Sequence, residues 1–170
     1  VTTASVQPDI YPYSFLVDGV NVMDPANVAF FPNERFKGSL VDVPADTPLV
    51  HAMKDVPHGT VTYEYYPSVE GTTGTAVVYT PPGYEKDKRK YPVFYLISGT
   101  TDTEETFFKV GRVNFILDNL IAEGKVVPMI LVTTLGYGVA GTVASPKSFD
   151  QFTSSLTEEI IPLVQKKYRA

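Results

Sequence analysis

Residues able to do chemistry are few, and most of them crowd into one stretch. Phe94-Tyr95-Leu96-Ile97-Ser98-Gly99-Thr100-Thr101-Asp102-Thr103-Glu104-Glu105 places a glycine and a run of small polar residues directly after a continuous apolar segment. A turn of that composition can aim backbone N–H groups at an anion. In acyl transfer those N–H groups would hold the oxyanion of a tetrahedral intermediate, a task set by backbone geometry rather than by a particular side chain. The same residues also suit an ordinary strand-to-helix loop in which Ser, Thr and Asp satisfy backbone groups. Asp102, Glu104 and Glu105 resemble a paired-carboxylate site, but acids leading into a helix are favoured for capping and for the helix dipole. The chain holds 2 histidines, so any Ser-His-Asp or His-metal mechanism completed within it must use His51 or His58. Both precede the apolar strands, where a histidine bonded to loop backbone is the expected role. With no histidine cluster and no cysteine, neither a metal site nor a cofactor is expected.

The elements that must position this stretch can be read from periodicity. Tyr91 to Ser98 and Val127 to Thr133 are near-continuous apolar runs, as strands covered on both faces must be. Thr60 to Tyr66 and Thr75 to Thr80 are β-branched and aromatic, separated by the turn Glu70 to Gly74, and read as an antiparallel pair. Between the apolar strands, Val113, Ile116, Leu117, Leu120 and Ile121 form a helical stripe, with Gly124 where a C-terminal cap belongs. A last helix is predicted from Ser148, spaced as a capping box to Gln151, with Phe149, Phe152, Leu156 and Ile160 on one face and a kink at Pro162. Upstream, Tyr13 to Val17, the turn Asp18-Gly19 and Val20 to Met23 predict a hairpin, and Ser39 to Val43 a further strand. Nothing before Asp55 has helical period. The order β-β-β-α-β-α predicts an α/β layer architecture whose functional loops lie at the C-terminal ends of its parallel strands.

Composition narrows the function classes. The 170 residues carry a formal net charge of -5, which disfavours a protein built to grip nucleic-acid phosphates. The short basic run Lys86 to Lys90 is interrupted by Asp87 and reads as a solvated loop. No stretch approaches the ~20 apolar residues of a membrane span, so no membrane partner is expected. The opening VTTASVQPDI lacks a basic end followed by an apolar core, so the residues given carry no signal peptide.

Several motifs, in order, resemble the esterase D-like α/β-hydrolases, which include feruloyl and acetyl-xylan carbohydrate esterases. Tyr95 to Phe107 is similar to their Y-L-x-H/S-G-x-x-D/T-x-E segment, and Ala76 to Tyr84 to their strand ending in Y-x-P-P-G-Y. Val56-Pro57-His58-Gly59 resembles the junction before their first catalytic-domain strand, and Glu159-Ile160-Ile161-Pro162 with Tyr168-Arg169 their E-I-I-P...Y-R helix. Tyr13 to Val20 followed by Asp24 to Asn27 is similar to the immunoglobulin-like, starch-binding-type module that precedes many of these catalytic domains.

The resemblance implies residues 1–55 as part of such a β-sandwich module with its linker, and residues 56–170 as the N-terminal half of an α/β-hydrolase sheet. It implies a serine ester hydrolase removing feruloyl or acetyl groups from plant-wall polysaccharide, or acting on a small aryl or acyl ester, without a cofactor. Thr100 and Thr101 would supply the backbone oxyanion donors, and Asp102 and Tyr137 contacts to substrate. The G-x-S-x-G elbow of the family does not occur in these residues. The chain is therefore expected to be an internal piece of a longer esterase, inactive alone, with the remaining segment completing the sheet beside the strand at Tyr91 to Ser98, which would sit centrally. Secretion or a periplasmic location follows from the substrate class. The competing expectation is a non-catalytic carbohydrate-binding or scaffold fragment.

Overall fold

Alternation between Thr60 and Thr80 is realised as one half of a four-stranded sheet, and that sheet organises the molecule. The computed structural model describes residues 5–68, 71–99, 101–135 and 146–170. Its strands are β1 (Asp9–Tyr13), β2 (Phe15–Val17), β3 (Val20–Val22), β4 (Ser39–Val43), β5 (Thr60–Pro67), β6 (Thr73–Thr80), β7 (Val93–Ile97) and β8 (Ile130–Thr134). Its helices are α1 (Thr106–Lys109), α2 (Val113–Ala122), α3 (Pro146–Ser154) and α4 (Ile161–Lys167). A π-helical turn, Ser155–Ile160, joins the last two.

The sheet order is β5-β6-β8-β7, with β5, β6 and β8 successively antiparallel and β7 parallel to β8. The parallel pair is connected through α1 and α2, as parallel strands require. Period-2 alternation sends β6 and β8 residues to opposite faces. On one face Ala76, Val78, Ile130 and Val132 pack against Ile160 and Val164 of the C-terminal helices; on the other, Tyr79 and Leu131 pack against Leu117 of α2. Each Val, Leu or Ile among them contributes about 1.5–3 kcal/mol by its burial. Both faces of the sheet are therefore covered by helix, the layering expected of an α/β protein.

Within the described residues β7 is not covered on both faces as expected. It is the outermost strand of the described sheet, and Phe94 and Ile97 are 50% and 37% exposed. The strand covered throughout is β8, all five residues of which are buried. An apolar run marks a strand for burial without fixing its place in the sheet order.

Helix details also depart from the stripe. The buried residues of α2 are Leu117, Asp118 and Asn119, because two polar side chains of this helix are bonded inward. Its end follows the sequence: Gly124 adopts φ 67°, with Gly124 N–H donating to Ile121 O and Lys125 N–H to Leu120 O, a Schellman cap. The helix predicted from Ser148 begins at Pro146 instead, where proline's fixed φ suits a first helical residue, and Phe149 is exposed rather than on the buried face. Pro162 cannot donate to the preceding turn, and the ladder widens to π geometry just before it.

At the end of α4, Tyr168 donates to Glu64 Oε1 at 2.7 Å and Lys167 pairs with Glu64 Oε2. Arg169 stacks on the Tyr84 ring at 3.8 Å, and its carbonyl accepts from Tyr91 N–H at 2.8 Å. These contacts explain why a Tyr-Arg pair closes the helix: it ties α4 to both β5 and the approach to β7.

Before the sheet, β2 and β3 form the expected hairpin. Asp18 and Gly19 both hold left-handed φ, 49° and 81°, the type I′ turn that matches strand twist. The run Tyr13 to Val17 is divided at Ser14: Tyr13 pairs with Ser39 of β4, whereas Phe15 pairs with Val22. The described N-terminal residues thus make two two-stranded ribbons.

Candidate active-site loop

Ile97 pairs with Thr134, so β7 and β8 leave the sheet on the same side. Ligand sites of α/β sheets gather at such C-terminal ends. The chain beyond β7 turns sharply, with Asp102 N–H donating to Gly99 O at 3.1 Å. Thr101 within that turn has φ 72°, a left-handed conformation in which a β-branched residue is a true outlier, costing roughly 1–3 kcal/mol.

The strain is held by a segment far away in sequence. Glu34 N–H donates to Thr101 O at 2.8 Å, and Asn33 Nδ2 donates to Thr101 Oγ1 at 3.0 Å and to Asp102 Oδ1 at 2.8 Å. The Thr103 and Thr106 hydroxyls both donate to Pro32 O, at 3.1 and 3.0 Å. At about 1 kcal/mol net per bond, this set is sufficient to offset the distortion. Thr133 Oγ1 then donates to Glu104 O at 2.6 Å, pinning the loop over the end of β8. Among the described residues, no acceptor is bonded to the Thr101 N–H.

A cleft of about 470 Å³ opens beside the loop, lined by Glu34, Tyr66, Thr73, Thr75, Glu104 and Leu135 among others. Its volume lies within the range of small-molecule sites. Glu104 and Glu105 are not a matched pair. Burial pushes the Glu104 carboxyl up, and the charges of Glu105 and Glu34 push it further. Burial also pushes Glu105 up, but hydrogen bonds from Tyr63 (2.6 Å) and Lys109 (2.9 Å) outweigh it and leave Glu105 below the usual range. Tyr63 is in turn pushed up to about 12, first by burial and then by its bond to Glu105.

The expected capping by acids is carried by threonines instead. Thr103 N–H donates to Thr106 Oγ1 at 3.1 Å, while Glu105 stands at the start of α1 with no side-chain cap bond. Of the residues expected to act, the structure brings Thr101 and Asp102 together in the turn. Thr100 and Tyr137 lie outside the described residues.

His58 differs from expectation, since a carboxylate rather than loop backbone holds it. His58 Nδ1 lies 2.9 Å from Asp118 Oδ2, and Asp118 Oδ1 accepts from Gly59 N–H at 2.9 Å and from Tyr79 OH at 2.7 Å. His51 Nε2 stands 3.9 Å from Asp42. The periodic stripe assigned Asp118 no inward role, so its pairing was invisible in the sequence. Tyr79 pairs with Leu131, three residues back along β8 from Thr134, which places this cluster roughly 10 Å along the sheet from the loop. It anchors α2 and does not serve the turn. Among the described residues, no group of His, Asp or Glu is arranged to hold a metal, and no helix is long and apolar enough to cross a membrane.

Asn33 is the residue that sequence reasoning missed. Phe31-Pro32-Asn33-Glu34 reads as a turn, and nothing in it signals a bond to a residue 68 positions later.

A mixed sheet covered on both faces by helices, with a strained and tethered turn at the end of a parallel strand, places the chain among α/β enzymes. Residues 69–170 match the family described as "Putative esterase", and the chain belongs to that family. It is 30% identical to an endo-1,4-beta-xylanase/feruloyl esterase of Xylanibacter ruminicola over 98% of its own length and 24% of the relative's. It superposes on a CE1 ferulic acid esterase from Anaeromyces mucronatus, in complex with ferulic acid, with a TM-score of 0.59 and 30% identity over 69% of this chain and 46% of that one. The feruloyl esterase module from Clostridium thermocellum complexed with sinapinate gives a TM-score of 0.61 and 29% identity over 75% and 41% of the two chains. The chain thus spans about a quarter of the first relative and less than half of each solved esterase. These relatives and neighbours are carboxylic ester hydrolases.

Proposed function

We propose that this chain forms the oxyanion-binding part of a serine esterase that releases feruloyl or acetyl groups from plant-wall polysaccharide. The observation that carries the proposal is Thr101, a β-branched residue held at φ 72° in the turn after β7. Strained backbone that its surroundings over-determine concentrates at functional sites. Thr100 and Thr101 would donate their N–H groups to the oxyanion, and Asp102 and Tyr137 would contact the substrate, whose acyl part would occupy the cleft beside Glu104. The nucleophile, acid and histidine would come from sequence outside these residues, because no G-x-S-x-G occurs among them. That further sequence would pair with the outer edge of β7. Residues 1–55 would belong to an immunoglobulin-like module and linker, and the polypeptide would be secreted or periplasmic, where its substrate is.

Hydrolysis of methyl ferulate and nitrophenyl acetate tests this, measured on the 170-residue chain alone and on the longest polypeptide its gene encodes. Turnover is expected only from the longer polypeptide. No turnover there would favour the carbohydrate-binding or scaffold alternative; robust turnover by the short chain would remove the argument for an external nucleophile.

A further inference from the structure

Asn33 is 8% exposed, and every polar group of its side chain is engaged. Its Nδ2 donates to Thr101 Oγ1 and Asp102 Oδ1, while its Oδ1 accepts from Arg35 N–H at 2.9 Å and Phe36 N–H at 2.8 Å. Those four partners fix the orientation of the amide, since the reverse would face donors with donors and acceptors with acceptors. The backbone of the same residue bridges to Asp102 in antiparallel fashion, and Asn33 O accepts from Lys37 Nζ at 2.7 Å. Aspartate would keep the acceptor and lose both donors to the turn. Glutamine would move the amide outward by a methylene, away from a bridge whose backbone register is fixed.

We infer that Asn33 is a positioning residue for ester hydrolysis: the N-terminal segment, through Asn33, holds Thr101 in the left-handed geometry that presents its N–H to the oxyanion. This role rests on the esterase reading above. An N–H contributes to transition-state stabilisation only if its position is set before the reaction, because reorganising it at that moment costs the energy it would supply. Thr101 alone would relax toward a negative φ, the region β-branched residues prefer. The segment before β4 is therefore part of the catalytic apparatus rather than a detachable appendage.

Asn33→Asp is the informative variant, because it retains the acceptor for Arg35 and Phe36 and so spares the local turn. Two readouts are needed. In the 170-residue chain, deuterium uptake by the peptide covering residues 99–103 should accelerate by about tenfold, with uptake over β6 and β8 unchanged. In the longer polypeptide, kcat for methyl ferulate should fall about tenfold or more while KM moves less than about threefold, the pattern of an interaction made mainly in the transition state. Asp102→Asn combined with Asn33→Asp exchanges donor and acceptor across the pair and should return the uptake of residues 99–103 toward wild type. Unchanged uptake in Asn33→Asp overturns the clamp, and faster uptake with unchanged kcat overturns its catalytic role. If β6 and β8 also exchange faster, Asn33→Ser, which removes the donors without adding a charge beside Asp102, replaces it under the same criteria. If the wild-type polypeptide hydrolyses no ester, the esterase reading and the positioning role fall together, and the uptake measurement still decides the clamp.

Discussion

Replacing Asp118 with alanine should unfold the chain more readily by about 3 kcal/mol, a size set by what the carboxylate leaves behind. Its side chain is 1% exposed and accepts from Tyr79 OH, Gly59 N–H and the His58 ring. Tyr79 has no solvent exposure, so its hydroxyl would lose the carboxylate that accepts its proton with no water to replace it, a cost of about 1–3 kcal/mol. Gly59 is half-buried and adds on the order of 1 kcal/mol, whereas the His58 side chain is 32% exposed and can turn to solvent. Asp118→Asn should cost far less, because its oxygen can still accept from Tyr79 OH and Gly59 N–H. Urea titrations read by tryptophan-free near-ultraviolet circular dichroism of the tyrosines measure both variants, with the slope on denaturant expected to stay constant. The reasoning fails if Asp118→Ala costs less than about 1 kcal/mol, or if alanine and asparagine are equally destabilising at neutral pH.

Gly59→Ala should be comparably damaging, since a Cβ there would lie 2.3 Å from both Thr80 O and the Tyr79 ring; overpacking of this kind costs on the order of 3 kcal/mol, measurable by the same titration. Glu104→Gln should raise the melting temperature at pH 7 to 8 and change it little near pH 4. A carboxyl held above its ordinary value adds stability below the unfolded value of 4.5, and that stability is lost as pH rises through the folded value. Glu64 has the opposite sign. Burial pushes it up, but Lys167 and Tyr168 pull it lower still, so its stabilisation is present above 4.5 and lost as pH falls through the folded value. Glu64→Gln should accordingly lower the melting temperature at pH 7 and converge with wild type in strong acid.

The parts of the fold legible in the sequence were those set by local pattern. Asp18-Gly19 dictates its hairpin because both positions need positive φ, and Gly124 ends α2 for the same stereochemical reason. The parallel β7 and β8 follow from two apolar runs separated by a helix. Sheet order was not local information: nothing within Tyr91 to Ser98 says that β8 inserts between it and β6, which is why exposure of Phe94 came as a correction. Helix α2 misled for a related reason, because its apolar stripe concealed that Asp118 and Asn119 face inward to partners 39 to 69 residues earlier. The candidate loop was found from Gly99 and the small polar residues after it. Its tether was not, since an asparagine in a proline-containing turn looks the same whether or not a distant threonine lies within reach.

The most direct test of the oxyanion assignment is a crystal structure of the longer polypeptide after reaction with an alkyl phosphonate ester, whose tetrahedral adduct stands in for the transition state of ester cleavage. The expected result is a phosphonyl oxygen about 2.7–3.1 Å from the backbone N of Thr101, Thr100 or both, with Thr101 still at positive φ and Asn33 still bonded to it. An adduct whose oxygen is held by other donors, well away from the turn after β7, would contradict the assignment.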